Sequence, residues 1–392
     1  MPTWASAADQ GVRPTACGTL VHLLMIVTPE TAEELAGLLV GAAAEGRSIN
    51  LCGNSTKNGM GGPIAPAEVT ISTAKLNRVL QYEPRDLTIS VEAGISYREL
   101  SRVLAEHGQM VPLDPAFSDR ATVGGIVAAN VSGPRRRLYG TARDMVIGMT
   151  FATLEGKLIP SGGMVVKNVA GLDMGKLMIG SFGTLAAIAV VNFRVHPMPL
   201  GTRTFVGEFE GVADAIRRRD EVLKSQLQPS AIDLVKNDGG YRLLIQAGGS
   251  AAVLDRYSRE LDWARAVEGA EEEALWEEIR EFTARFLAAH ENGVVIRTPC
   301  ALSEVGGVME ALPGPALARA GSGVCWGYYT QAGDLRHGGE LQRGAVEFAP
   351  QDVRQSWELW PRPGSDFAMM KKIKQMFDPG FLLNRGRLYG RI

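Results

Sequence analysis

Two stretches of this 392-residue chain carry the residue types that could grip a large anionic ligand: Gly53–Gly62 (GNSTKNGMGG) and Pro112–Gly133 (PLDPAFSDRATVGGIVAANVSG). Each mixes glycines with small polar residues and follows or interrupts apolar, strand-like sequence. Gly124 and Gly125 lack Cβ atoms, so backbone there can approach a ligand closely and reach φ values closed to other residues. The exposed N–H groups of such turns form concavities that hold phosphate oxygens. Two of them in one chain suggest a single large ligand with a pyrophosphate, held from two sides. The spacing excludes the commoner phosphate sites. Gly53, Gly59, Gly61 and Gly62 do not make the G-x-G-x-x-G of a doubly wound dinucleotide site, and no G-x-x-x-x-G-K-[ST] loop occurs.

The elements that would position these loops read as follows. Thr28-Pro29 suits a helix start, Leu35, Leu38, Leu39 and Ala42 share one face, and Gly46 ends the helix. Ser48–Cys52 is a short strand delivering the chain to the first loop. Strands are predicted at Val69–Ser72, Arg78–Glu83 and Leu87–Glu92, and Ser96 with Glu99 forms a capping box for a helix over Tyr97–His107. Thr122–Asn130 is a small-residue helix packed against the ligand. Met145–Thr153, Lys157–Pro160 and Met164–Lys167 read as strands, Asp173–Met178 as a short helix, and Thr184–Val195 as a buried strand. Beyond it, strands are predicted at Arg203–Phe209, Ala231–Val235, Tyr241–Ala247, Val294–Arg297 and Val324–Thr330. Helices are predicted at Val212–Lys224, Ala252–Arg265 and Ala274–Ala289, giving an antiparallel sheet with helices on one face. Gly306-Gly307 and Leu312–Ala320 read as an aliphatic surface open to a partner. A last helix covers Phe367–Phe377.

Composition bounds the function. A net charge of −2 gives no electrostatic case for nucleic acid or an anionic membrane, although Arg135–Arg137 and Arg217–Arg219 are local basic runs. Cys17, Cys52, Cys300 and Cys325 have neither zinc-site nor iron–sulfur spacing, and they fit a reducing cytoplasm. No secretion signal or bilayer-spanning apolar run is visible.

The first loop, SVEAGISYREL, TVGGIVAANVSG, YGTARDMVIGMTFATLEGKLIPSGG, GSFGTLAAIAVVNFRVHP and the closing FDPGFLLNRGRLY together resemble the FAD-binding domain of the vanillyl-alcohol-oxidase (PCMH) type. Within it, VVKNVAGLDMGKLMIGSFGTL is most similar to the FAD-binding subunits of bacterial glycolate oxidases. The resemblance implies an α+β fold in four parts: an N-terminal arm over 1–20, a two-subdomain FAD-binding domain over 21–198, an α+β cap over 199–365, and a C-terminal segment over 366–392 returning to the first domain. It implies that Gly53, Asn54, Ser55, Thr56 and Lys57 bind the pyrophosphate of a non-covalent FAD. Pro112, Asp114, Thr122, Val123, Gly124, Gly125, Ala128, Ser132 and Gly133 would line the cofactor. Gly140, Arg143 and Asp144 would close the site, with Gly183, Thr184 and Ile188 at the adenosine end. Cys52 adjoins the first loop but reads as a buried strand cysteine rather than a point of covalent attachment.

The implied activity is oxidation of glycolate or a related 2-hydroxy acid to the 2-oxo acid. The implied partners are a larger FAD-containing catalytic subunit and an iron–sulfur subunit. The chain would be cytoplasmic, touching the inner membrane only through partners. Two alternatives stay open: an autonomous FAD-dependent 2-hydroxy-acid dehydrogenase, and a scaffold with the same fold and no catalysis. The chain departs from the family where Asn384-Arg385-Gly386-Arg387 lacks the usual proline. Its histidines are scattered, and only His337-Gly338-Gly339-Glu340 comes near a metal-ligand pair, so no metal is expected. Arg242, Arg297 and Lys167 could meet a substrate carboxylate, but surface or ion-paired roles are the plainer readings. Tyr328 and Tyr329 could close over a flavin, yet read as core. No catalytic base is assigned.

Overall fold

The computed structural model describes residues 25–164, 172–335, 343–361, 364–390 and 392. The expected arm, Lys167 with most of the strand Met164–Lys167, and His337–Glu340 lie outside the described residues. The described residues build two large antiparallel sheets, one small parallel sheet and a two-stranded antiparallel ribbon.

Strands β1 (Met25–Val27), β2 (Ile49–Cys52) and β3 (Val69–Ser72) form the parallel sheet, in the order β1-β3-β2. Helix α1 (Ala32–Ala44) covers it, burying Leu35 and Leu39 completely against Ile49 and Ile71. The helix starts later than Thr28-Pro29 suggests. Its cap is Thr31, whose Oγ1 accepts from Glu34 N at 3.1 Å while Glu34 reaches back to Glu30 N at 2.8 Å. That reciprocal pair satisfies two otherwise orphaned donors.

Strands β4 (Val79–Glu83), β5 (Thr88–Glu92), β7 (Val146–Ala152), β8 (Leu158–Gly162) and β9 (Ala187–Arg194) form a five-stranded sheet in the order β4-β5-β9-β7-β8. Helices α2 (Tyr97–Ala105) and α3 (Val123–Ala129) pack on it through Leu100, Leu104, Ile126 and Val127, all fully buried. Strands β6 (Gln109–Met110) and β10 (His196–Pro197) pair as a short ribbon.

The third sheet has eight antiparallel strands: β11 (Gly201–Phe209), β12 (Ala231–Asn237), β13 (Gly240–Gly249), β14 (Arg265–Val267), β15 (Val294–Pro299), β16 (Ala316–Arg319), β17 (Val324–Tyr329) and β18 (Ala345–Phe348). Their order is β14-β11-β13-β12-β16-β17-β15-β18. Two expectations are corrected here. Leu312 and Ala316–Ala320 are no open surface: β16 lies inside the sheet between β12 and β17, and these residues are buried. Nor are the helices confined to one face. The helices Val212–Lys224, Ala251–Glu260 and Val305–Ala311 cover one side, while Trp276, Ile279, Phe282 and Phe286, from the helices Gly269–Arg280 and Phe282–Ala289, pack on the other. The alternate strand residues Val206, Leu244, Val295, Leu317 and Tyr328 make that second face apolar, so it must be covered too. The single helix expected over Ala274–Ala289 breaks at Glu281, which turns to serve another loop.

The C-terminal segment returns to the N-terminal lobe. The helix Phe367–Phe377 carries Lys374, fully buried, whose Nζ donates to Asp378 Oδ2 at 2.6 Å, Thr184 O at 2.7 Å and Leu383 O at 3.0 Å. Asp378 also accepts from the N–H groups of Leu382 and Leu383. Burial holds the Lys374 pKa below its usual value, against the pull of Asp378. Removing one member of a buried pair leaves the other charge uncompensated, at a cost of about 3–5 kcal/mol. Asp378→Ala should therefore lower stability by about 3 kcal/mol or more in urea unfolding; a loss under about 1 kcal/mol would show that the pair does not hold the tail.

Candidate functional site

The two glycine stretches meet. A Cβ on Gly53 would lie 2.2 Å from Thr122 Oγ1, and one on Gly124 would lie 2.8 Å from Ala93 Cβ. Asn54 Nδ2 donates to Arg120 O at 2.9 Å, tying the first loop to the second. Thr122 caps α3, accepting from Gly125 N at 3.3 Å, so the residue that touches Gly53 also fixes the start of the helix. Beneath the first loop, Arg354 and Arg387 both donate to the carbonyls of Asn58 and Gly62, and Arg387 also donates to Lys57 O. Asn384 Oδ1 accepts from Leu51 N at 2.7 Å, while its Nδ2 donates to Phe182 O at 2.7 Å.

This packing leaves a crevice in the N-terminal lobe, which shares Lys57, Ala129 and Phe182 with a second cavity under the eight-stranded sheet. Of the expected cofactor-site residues, Gly53, Asn54, Ser55, Thr56, Lys57, Thr122, Gly124, Gly125, Ala128, Gly183 and Ile188 line the crevice. Asp114, Ser132 and Gly133 line the second cavity. The others stand apart from both walls. Val123 is buried in the core against α3's own sheet. Thr184 is buried, donating to Ser181 O and accepting Lys374 through its carbonyl. Pro112 lines neither cavity; Gly140, Arg143 and Asp144 form an outer turn in which Asp144 caps Thr141.

Several wall residues lie outside the set expected to bind the cofactor, and of these Arg297 was weighed only as a partner for a substrate carboxylate. The crevice includes Cys52, half-buried on the wall rather than in the core, as well as Asn384 and Arg387 from the tail. The second cavity adds Arg136, Arg280, Arg297, Arg319, Trp326 and Glu347. Tyr328 lines it too, its hydroxyl 2.8 Å from Thr283 Oγ1, whereas Tyr329 packs in the core on the opposite face. Arg242 pairs with Glu208 at 2.9 Å and lines neither cavity. Among the described residues no cluster of histidine, cysteine and carboxylate could hold a metal.

Backbone strain gathers at these walls. Of nine non-glycine residues with positive φ among the described residues, six (Ser55, Asp114, Phe117, Asn130, Phe182 and Asn384) line one of the two cavities. Such conformations cost on the order of 1–3 kcal/mol each and persist where surrounding structure enforces them, commonly at ligand sites. Charge gathers there as well. Burial lowers the Lys57 pKa to about 8, against the opposing pull of Glu281, and lowers that of Arg387 to about 10, helped by Arg354 beside it.

Residues 23–162 match the family described as FAD binding domain. They belong to it. The fold agrees: alkyldihydroxyacetonephosphate synthase superimposes with a TM-score of 0.70 at 18% identity, covering 92% of this chain and 75% of that one. This is the FAD-binding fold of the vanillyl-alcohol-oxidase type. Glycolate oxidase subunit GlcE of Escherichia coli (strain K12) is 28% identical over 87% of this chain and 92% of its own length. Glycolate oxidase subunit GlcD of Bacillus subtilis (strain 168) is 26% identical over 54% of this chain, and the D-lactate dehydrogenase of Archaeoglobus fulgidus is 29% identical over 54%. The chain spans under half the length of these last two, at 45% and 47%.

The crevice suits FAD. The space beside Gly53 and Gly124 admits no further side chain, the small residues Ala128, Ala186 and Ala187 line the wall, and Lys57 and Arg387 place cations on it. An anion beside Lys57 would hold its proton. Affinity for FAD should then be full below about pH 8 and fall as pH rises above it, by at most about tenfold per unit for one linked proton. Fluorescence titration of the apoprotein from pH 7 to 9.5 measures this, and Lys57→Met should flatten the profile. A wild-type affinity independent of pH would contradict it.

Proposed function

We propose that this chain is the FAD-binding subunit of a glycolate oxidase-like complex, an oxidoreductase acting on the CH–OH group of glycolate or a related 2-hydroxy acid. The observation that carries the reading is the crevice between Gly53 and Thr122, together with a glycolate oxidase subunit related over nearly its whole length. FAD supplies the capacity to accept an electron pair from the substrate carbon. The chain's own residues do the rest. The N–H groups of the first loop and the cations of Lys57 and Arg387 hold the pyrophosphate, and Arg354 stiffens that loop from below. Gly124, Gly125 and Ala128 allow the dinucleotide to lie against α3, and the eight-stranded sheet covers the reacting end.

Holding is non-covalent in this reading. Of the side chains on the crevice wall that could bond to a flavin carbon, Cys52 is the candidate, and its carbonyl is bound to Thr73 Oγ1 at 3.3 Å within a regular strand. The partners we infer are a larger flavin-containing catalytic subunit and an iron–sulfur subunit, since none of the four cysteines here has cluster spacing. No helix among the described residues is long and apolar enough to cross a membrane. We place the chain in the cytoplasm, reaching a membrane only through those partners.

The absorbance spectrum of the purified protein tests the reading. Flavin bands are expected, with the whole of the flavin released into the supernatant on acid denaturation. A colourless protein that takes up no FAD on reconstitution would contradict it.

A further inference from the structure

The second cavity is lined by five cations, Lys57, Arg136, Arg280, Arg297 and Arg319, against two carboxylates, Asp114 and Glu347. Some of this charge is balanced behind the wall. Asp114 pairs with Arg135 at 2.5 Å, and Arg319 pairs with the fully buried Asp233. Arg136, Arg280 and Arg297 make no ion pair with any described residue. Burial holds the Arg136 pKa below its usual value, and the like charges of Arg297 and Arg319 lower it further. Cations gathered this way are costly unless an anion joins them. Arg136 comes from the N-terminal lobe and Arg297 from β15, so an anion between them would bridge the lobes.

Glu347 on β18 is the one carboxylate of the cavity wall without a cation bound to it. Its Oε2 accepts from Trp326 Nε1 at 2.6 Å, its backbone oxygen accepts from Gly61 N at 3.0 Å, and Oε1 makes no hydrogen bond to a described residue. The Gly61 bond ties it to the end of the first glycine loop, so the same loop places both the cofactor and this carboxylate.

We propose that Glu347 is the proton acceptor in oxidation of a small 2-hydroxy carboxylate whose carboxylate is held by Arg136 and Arg297, so that this chain oxidises substrate itself. The proposal rests on the reading above that FAD occupies the crevice. In the step, the Cα–H bond breaks and its electron pair and proton pass together to oxidised FAD. The hydroxyl proton passes to Glu347 Oε1, and the C–O bond becomes a carbonyl. The product is the 2-oxo acid, and two electrons are left on the cofactor for the partner subunits. Burial pushes the Glu347 pKa above its usual value, with Arg297 first among the groups pulling it back. The charged groups that share its cavity are Lys57, Asp114, Arg136, Arg280, Arg297 and Arg319. Below its pKa the carboxyl is already protonated, so reduction should speed up as pH rises through that pKa.

The test uses the FAD-loaded protein with two probes: oxalate, an unreactive dianion followed by perturbation of the flavin spectrum, and glycolate, followed by anaerobic stopped-flow bleaching. Arg297→Met should weaken oxalate binding by tenfold or more. Glu347→Gln should keep oxalate affinity within about threefold while bleaching slows by about 10²–10⁴-fold, the range for losing a general base. It should also lose the wild-type pH limb, and Glu347→Asp should restore part of the rate. Retained oxalate binding reports an intact cavity. Glu347→Gln bleaching at the wild-type rate and pH profile would overturn the proposal. So would a wild-type flavin that stays oxidised with both glycolate and D-lactate; in that outcome the bound flavin itself leaves the FAD-subunit reading standing. A protein that binds no FAD would overturn both.

Discussion

The contact between Gly53 and Thr122 is the constraint on which the rest of the site depends. With no side chain at Gly53, the first loop closes to van der Waals distance of the residue that caps α3. One hydroxyl therefore fixes the helix start and limits how far the loop can enter. Everything on the crevice wall is referred to that contact: Asn54 reaches across to Arg120 O, and the loop runs on to Gly61, which bonds the strand carrying Glu347. Lobe and cap are joined again at Glu281, whose carboxylate accepts from Phe117 N and Ser118 N at 2.8 and 2.9 Å. The cavity between them is thus shaped by backbone bonds rather than by side-chain fit alone.

The C-terminal tail supports this arrangement from below. Ile49 N donates to Leu382 O at 2.8 Å and Asn384 N to Ile49 O at 2.9 Å, so the tail runs beside β2 as an additional strand-like segment. Asn384 does with its side chain what a turn would do with backbone, holding Leu51 and Phe182 together at φ 41°. The turn closes without a proline because asparagine tolerates the left-handed region and bonds locally. Arg387 then carries the tail's contribution into the crevice, and the buried Lys374–Asp378 pair anchors the helix that delivers it.

How legible this was in the sequence follows from the range of each interaction. The glycine loops, the α2 cap at Ser96 and the strands of the five-stranded sheet are local signals, and each is found within two or three residues of its predicted place. The strand Ala316–Arg319 was hidden because its small residues read as an open aliphatic surface, and only pairing with β12 and β17 makes them core. The start of α1 was misplaced because Thr-Pro and Thr-x-x-Glu both signal a cap, and the reciprocal Glu34 bond decides between them. Arg136, Arg297 and Glu347 were not legible as a group. They lie far apart in sequence and meet only because the eight-stranded sheet folds over the first lobe. Left-handed Phe117 and Phe182 have no sequence signature at all, since aromatic residues rarely adopt that backbone.

The most direct test of the account is the FAD affinity of Gly53→Val, measured by titrating the apoprotein, with circular dichroism to confirm that the fold is kept. A side chain at this position must displace Thr122 or push the loop into the crevice, because the first added carbon already lies 2.2 Å from Thr122 Oγ1. The account predicts a folded protein whose affinity for FAD falls by a hundredfold or more. A folded variant that binds FAD as the wild type does would contradict it, and would move the cofactor away from the crevice between the two loops.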